Sequence, residues 1–307
     1  MQVDTRVLEL FEQGLNPQHI EKSEIPAVVL GYGEISTIFK IKGNEHVALK
    51  RMPLFSDRQS AENYIRLYHE YCQRLTEAGL NLPDGDAVVV AIPKRPVVVY
   101  IVQERLPSER FGDQLIQSPD SGQCLKLIEK TALEISKVWH YNANHAPAVA
   151  IAIDGQISNW IYMEGTMDDT MVYIDTSTPF LKKEGVEQMD PEPLLKSAPF
   201  FLRWILRWLF LDNVMNRYYD PRQVYIDIAA NLYKEQRQDL IAPAIDVLNR
   251  YLTDGQNPLT SREIEKYYRE DKLIWTLFLA FRRVDCWLTS RILHGRYEFI
   301  LPGKIMR

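Results

Sequence analysis

The hydrophobic pattern of this chain changes period near residue 105, and that change limits the folds open to it. Before it, apolar residues fall in short strand-like runs separated by turn residues. After it, they recur at helical spacing. A first helix is expected from Asp4, with Val7, Leu8 and Phe11 on one side and Gly14 ending it. Strands follow at 27–30, 36–41 and 47–51. Next comes an amphipathic helix opened by a Ser56-x-x-Gln59 capping box, with Ala61, Tyr64, Ile65, Tyr68, Tyr71, Cys72 and Leu75 on its apolar stripe. Two more strands, 87–92 and 97–104, read as a hairpin.

Beyond Leu106 the pattern predicts a helix over 125–140 and a strand-loop-strand insert at 149–153 and 171–174. Helices at 198–215, 221–233 and 240–252 follow, and a last one opens at the Thr260-x-x-Glu263 box. The expected class is therefore α+β. A small antiparallel-sheet unit occupies residues 1–105, and a larger, mainly helical unit occupies 106–307.

Composition narrows the function classes. The 307 residues are 46% hydrophobic and 25% charged, with a formal net charge of −5. No dominant basic field is present, so no nucleic-acid and no membrane partner is expected. The late basic residues, Arg282, Arg283, Arg291, Arg296, Lys304 and Arg307, read as solvated or core-edge helix charges. Cys72, Cys124 and Cys286 lie far apart and in no metal-ligand spacing, which fits reduced thiols and a cytoplasmic location. No basic-then-apolar leader opens the chain. The greasiest stretch, 199–214, is too short to span a bilayer and carries Arg203, Arg207 and Asp212, so it reads as a buried helix.

Four separated elements carry candidate chemistry. Gly31 and Gly33 sit in a turn between apolar strands, where a missing side chain lets backbone approach phosphate; a plain tight hairpin is the other reading. Ser36 follows, and its hydroxyl can donate to a phosphate oxygen. No G-K-[ST] comes after, so this is not a P-loop. Lys50 closes the third strand, with Ala48 two places before it. A lysine there can neutralise phosphates if a carboxylate from a neighbouring helix orients it. Glu62 and Glu70 are on offer; separation along the chain favours Glu70, whereas helical phase puts both away from the apolar stripe, beside Arg66 and Arg74.

Asp154 emerges from an apolar strand, and Asn159 lies five residues later. An aspartate so placed can position an attacking hydroxyl, and the asparagine can offer a neutral oxygen to Mg²⁺; an Asp-Gly turn is the structural alternative. Asp175 ends the next strand, where it can chelate the same metal or serve as a turn residue.

In this order the pieces resemble the protein-kinase-like superfamily, in particular its aminoglycoside phosphotransferase and choline kinase branch. The resemblance runs from about residue 26 to 180. It rests on Leu30-Gly31-Tyr32-Gly33, Val47-Ala48-Leu49-Lys50, His69-Glu70-Tyr71, the segment Val99 to Leu106, Asp154…Asn159 and Ile174-Asp175. It implies a bilobal fold using ATP and Mg²⁺, with adenine against the backbone of Gln103, Glu104 and Arg105. Asp154, Lys50 and Glu70 would be catalytic, and Asn159 and Asp175 would hold metal.

Departures are visible too. Ala152 stands where the family usually has a histidine that braces the catalytic loop, Thr176-Ser177 follows Asp175 without the family's glycine, and no Ala-Pro-Glu closes an activation segment. The function expected is transfer of phosphate to a hydroxyl of a small molecule. The alternative is a catalytically silent kinase-like module that binds nucleotide or a protein partner.

Overall fold

The structure, a computed structural model, describes residues 3–33, 35–164, 169–196, 199, 202–203, 215–253 and 255–302. It is a mixed α+β architecture. Helix α1 (Thr5–Gly14) starts where Asp4 accepts a hydrogen bond from the Arg6 amide. Strands β1 (Ala27–Tyr32), β2 (Thr37–Ile41) and β3 (Val47–Phe55) precede α2 (Arg58–Glu77), and β4 (Gly85–Val90) and β5 (Val97–Glu104) follow it. These strands form one five-stranded sheet in the order β1-β2-β3-β5-β4, with every neighbouring pair antiparallel.

The expected cap of α2 moves by one residue. Asp57, not Ser56, accepts from the Ser60 amide at 2.8 Å, since a carboxylate is the stronger acceptor at a helix N-terminus. Gly79, with φ +90°, turns the chain out of the helix.

Alternation along β3 sends successive side chains to opposite faces of the sheet. Val47 and Leu49 join Leu8, Phe11, Phe39, Tyr100 and Val102 in a core beneath α1. Met52 and Leu54 join Ala61, Tyr68, Val99 and Ile101 in a second core beneath α2. Each large apolar side chain sealed this way contributes about 1.5–3 kcal/mol. The end of the chain returns to this region: Ile300 packs under α1 and Phe299 against the α2 side.

After β5 come α3 (Gly112–Leu115) and α4 (Ser121–His145), then β6 (Val149–Ile151), β7 (Trp160–Met163), β8 (Thr170–Tyr173), β9 (Leu181–Lys183) and β10 (Val186–Glu187). The two strands expected to form one insert do not pair with each other. β6 pairs with β9, and β8 pairs with β7, which its short length hid from sequence reading. Helices α5 (Glu192–Lys196), α6 (Pro221–Lys234), α7 (Ile241–Leu248) and α8 (Ser261–Trp287) complete the described elements. A third core fills the space between α4, α6, α7 and the short strands.

The helix expected over 198–215 lies almost wholly outside the described residues. Among those described, no helix is long and apolar enough to cross a membrane. Arg282, expected to be solvated or at a core edge, is instead buried, with its guanidinium over the rings of Phe278 and Phe299.

Candidate functional site

Lys50 and Asp175, 125 residues apart, meet. The Lys50 ammonium donates to Asp175 Oδ1 at 2.8 Å, and the Ile174 carbonyl and Ser177 Oγ lie at 3.4 and 3.5 Å. Ser177 Oγ also donates to Asp175 Oδ1, at 2.7 Å. Both strong donors thus converge on a single carboxylate oxygen. Burial alone would raise the Asp175 pKa, but the charge of Lys50 and the hydrogen bonds from Lys50 and Ser177 outweigh it and hold the group below the usual carboxylate range.

The loop after β6 is fixed from several sides. Asn159 Nδ2 donates to the Asp154 carbonyl at 3.2 Å, which turns the Asn159 amide so that Oδ1 remains as its acceptor. The Asn159 carbonyl accepts from the Ile174 amide at 3.0 Å, tying the loop to the end of β8 one residue before Asp175. Asp154 Oδ1 accepts from the Gln156 amide at 3.1 Å. Gly155 has a packing reason: a Cβ there would sit 2.6 Å from Val224 and 2.9 Å from Ile135. Gly112 matters similarly, since a Cβ on it would come within 2.1 Å of the Ile157 carbonyl.

Two tyrosines that the sequence offered only as helix and strand core hold this loop. Tyr71 donates to the Ala152 carbonyl at 2.7 Å, and the Asp154 amide donates to Tyr173 Oη at 3.2 Å. Both rings are buried. Burial above all pushes both phenols upward and keeps them protonated. Tyr173 thereby ties the Asp154 backbone to the strand that ends two residues before Asp175. Ala152, at the position expected to lack a bracing side chain, is therefore braced through its backbone.

The expected lysine–glutamate pair is not formed. Glu70 pairs with Lys183 at 2.8 Å and approaches Arg74 at 3.9 Å, while Glu62 pairs with Arg58 at 3.5 Å. The cause is helical phase. Ala61, Tyr68, Tyr71 and Leu75 set the buried face of α2, so both glutamates point elsewhere. What α2 directs toward Asp175 and its successors is tyrosine: Tyr64 donates to the Ser177 carbonyl at 2.8 Å.

A cavity of about 430 Å³ opens beside Lys50, lined in part by Leu30, Ala48, Gln103, Glu104, Arg105 and Ile174. Gln103 Nε2 donates to the Ile174 carbonyl and to Thr176 Oγ1, joining β5 to the Asp175 segment. The wall from β1 and β2 is built by Leu30 and Ile38 rather than by Gly31, Gly33 or Ser36. The Gly33 amide donates to the Ser36 carbonyl at 3.0 Å, closing the turn, and a Cβ on Gly33 would meet the Ser36 hydroxyl. Ser36 is buried, and Glu34 lies outside the described residues.

The donors present fit a magnesium ion of the type that borrows most of its ligands from phosphate and water. Asp175 has Oδ2 beyond the oxygen used by Lys50 and Ser177, and Asn159 has Oδ1. Among the described residues no group of three or more His, Cys, Asp or Glu forms a self-sufficient metal cage.

The chain belongs to DUF6206, a family of unknown function, whose pattern matches residues 18–286. No curated protein matches it. Among solved structures, WaaP in complex with acyl carrier protein is similar at 14% identity, over 80% of this chain and 90% of that one, with a TM-score of 0.34.

Proposed function

We propose that the protein is an ATP- and Mg²⁺-dependent phosphotransferase acting on a hydroxyl of a small molecule, built as a kinase-like pair of lobes. Residues 1–105 form the sheet lobe and 106–307 the helical lobe, with residues 299–300 packed back on the sheet. The observation that carries this reading is the convergence of Lys50, Asp175 and the Asn159-anchored Asp154 loop next to a cavity walled by Ala48 and residues 103–105. Adenine would lie against the backbone of Gln103, Glu104 and Arg105, and Lys50 would neutralise phosphate. Asn159 Oδ1 and Asp175 would hold magnesium, which would supply positive charge to offset that of the phosphates. Asp154 would accept the proton-bearing side of the acceptor hydroxyl and aim its oxygen. Catalysis of this kind is chiefly positioning and charge neutralisation.

One observation favours a second reading, a silent nucleotide-binding module. No carboxylate from α2 reaches Lys50, whose described acidic partner is the residue that would have to hold metal. A thermal-shift measurement with ATP alone and with ATP plus magnesium separates the two. The enzyme reading expects a metal-dependent rise that Asp175→Ala abolishes; the absence of any nucleotide effect on the parent protein sinks it. Once an acceptor is in hand, Asp154→Asn is expected to lower the rate roughly 10²–10³-fold, and a rate equal to the parent's removes Asp154 from its role.

A further inference from the structure

Helix α2 carries two tyrosines seven residues apart, Tyr64 and Tyr71. At 3.6 residues per turn they fall on one face of the helix, two turns and about 10 Å apart. Each hydroxyl donates to a backbone carbonyl, and each of those carbonyls lies two residues from a candidate acid. Tyr71 reaches Ala152, two residues before Asp154, at 2.7 Å. Tyr64 reaches Ser177, two residues after Asp175, at 2.8 Å.

Packing alone does not call for these hydroxyls. The Tyr64 ring lies against Phe55, with centroids 5.2 Å apart, and the Tyr71 ring is buried in the large core. Phenylalanine would fill either place, and a hydroxyl set among apolar side chains needs a partner. In both cases the partner is main chain of a segment that bears a site acid. The Tyr64 hydroxyl also lies 3.7 Å from Met52 Sδ, a weak acceptor, which leaves the Ser177 carbonyl as its stronger partner.

The two contacts fall where the chain departs from the kinase-like pattern. Glu62 and Glu70 of α2 pair with Arg58 and Lys183 instead of Lys50, and Ala152 brings no side chain to brace the loop before Asp154. We propose that α2 acts as a two-point clamp: through Tyr64 and Tyr71 it sets the spacing between the Asp175 and Asp154 segments. Both tyrosines are then positioning residues, Tyr64 for the magnesium end of the site and Tyr71 for the acceptor end. That assignment of ends rests on the phosphotransfer reading, whereas the clamp itself does not. A shift of α2 along or about its axis breaks both bonds together, so the seat of this helix on the sheet governs both acids.

The test uses the full chain with Tyr64→Phe and with Tyr71→Phe, each of which removes a hydroxyl and keeps the ring. Tyr225→Phe is the control, a buried phenol that donates to the Ala132 carbonyl on α4. Hydrogen-exchange mass spectrometry without nucleotide is expected to show faster exchange over 173–180 in Tyr64→Phe and over 150–159 in Tyr71→Phe. The factor expected is roughly two- to tenfold, the net worth of one hydrogen bond, with both segments at parent rates in the control. In a thermal-shift titration the magnesium concentration at half of the ATP-dependent rise is expected to increase by the same factor in Tyr64→Phe, with the response to ATP alone unchanged. A tyrosine that only packs would lower Tm and leave that concentration where it is. Parent-like exchange in both segments of both variants overturns the clamp, and should Tyr71→Phe fail to fold, Tyr64→Phe decides alone. Where the parent responds to magnesium, an unmoved half-rise in Tyr64→Phe overturns the positioning role. A parent with no magnesium-dependent rise refutes phosphotransfer instead, and the exchange rates still decide the clamp.

Discussion

Lys50 and Arg51 are neighbours on one strand, and they live in opposite electrostatic worlds. Arg51 points beneath α1, where Nε and Nη2 donate to both Glu12 oxygens at 2.7 Å, Nη2 also reaches Glu298 Oε2 at 2.8 Å, and Nη1 donates to the Glu298 carbonyl. Tyr100 donates to Glu12 as well, at 2.6 Å. Burial would raise the Glu12 pKa, yet Arg51 and its companions hold it down. Each guanidinium nitrogen of Arg51 has an acceptor, and both the guanidinium and the Glu12 carboxylate are only 1% exposed. Lys50 points the other way, to a single carboxylate that is about a quarter exposed beside an open cavity. A sealed, fully satisfied network specifies structure. A half-open ion pair beside a cavity leaves its acid within reach of solvent and ligand.

Arg51→Met is the most damaging way to probe this contrast. It strands two acids in the interior and is expected to cost about 3–5 kcal/mol in urea unfolding. Lys50→Met, one residue away, leaves an acid that water can reach. It is expected to cost no more than about 1 kcal/mol while removing the magnesium-dependent nucleotide shift. Equal losses from the two substitutions would erase the distinction.

Acid sharpens it further. The folded pKa of Asp175 lies below its unfolded value of about 3.9. The stability this contributes is complete above the unfolded value and drains away as pH falls through the folded one. The stability difference between the parent and Asp175→Asn should therefore stay flat from about pH 6 to 8 and change only below about pH 4; a change centred near neutrality would contradict the ion pair. The smallest effect is expected for Glu70→Gln. Its partners Lys183 and Arg74 are solvent-accessible, so the loss should stay below about 1 kcal/mol with the nucleotide response intact. Loss of that response would restore Glu70 as the orienting acid.

Much of this was legible from the chain. The antiparallel sheet, α2, α4, α6 and α8 follow from hydrophobic period and from the caps at Asp4 and Thr260. Asp154 and Asp175 stood out because each follows an apolar run, and Asn159 because it lies five residues after Asp154; Lys50, expected to close its strand, instead sits in the middle of β3, which runs on to Phe55. Glu70 was misjudged because separation along the chain was weighed above helical phase, although the tyrosine stripe of α2 already showed which way that helix faces. Tyr71 and Tyr173 were hidden, since a buried phenol is indistinguishable in sequence from ordinary core. The Glu298 contact to Arg51 was equally hidden, being made across 247 residues.

Which residues can carry charge, and in what order along the chain, is legible locally, because period and turn chemistry are local. Who meets whom is a matter of packing. Pairing depends on how α2 is rotated about its axis and where the chain end returns, and those are set by packing of distant apolar faces that no local pattern encodes.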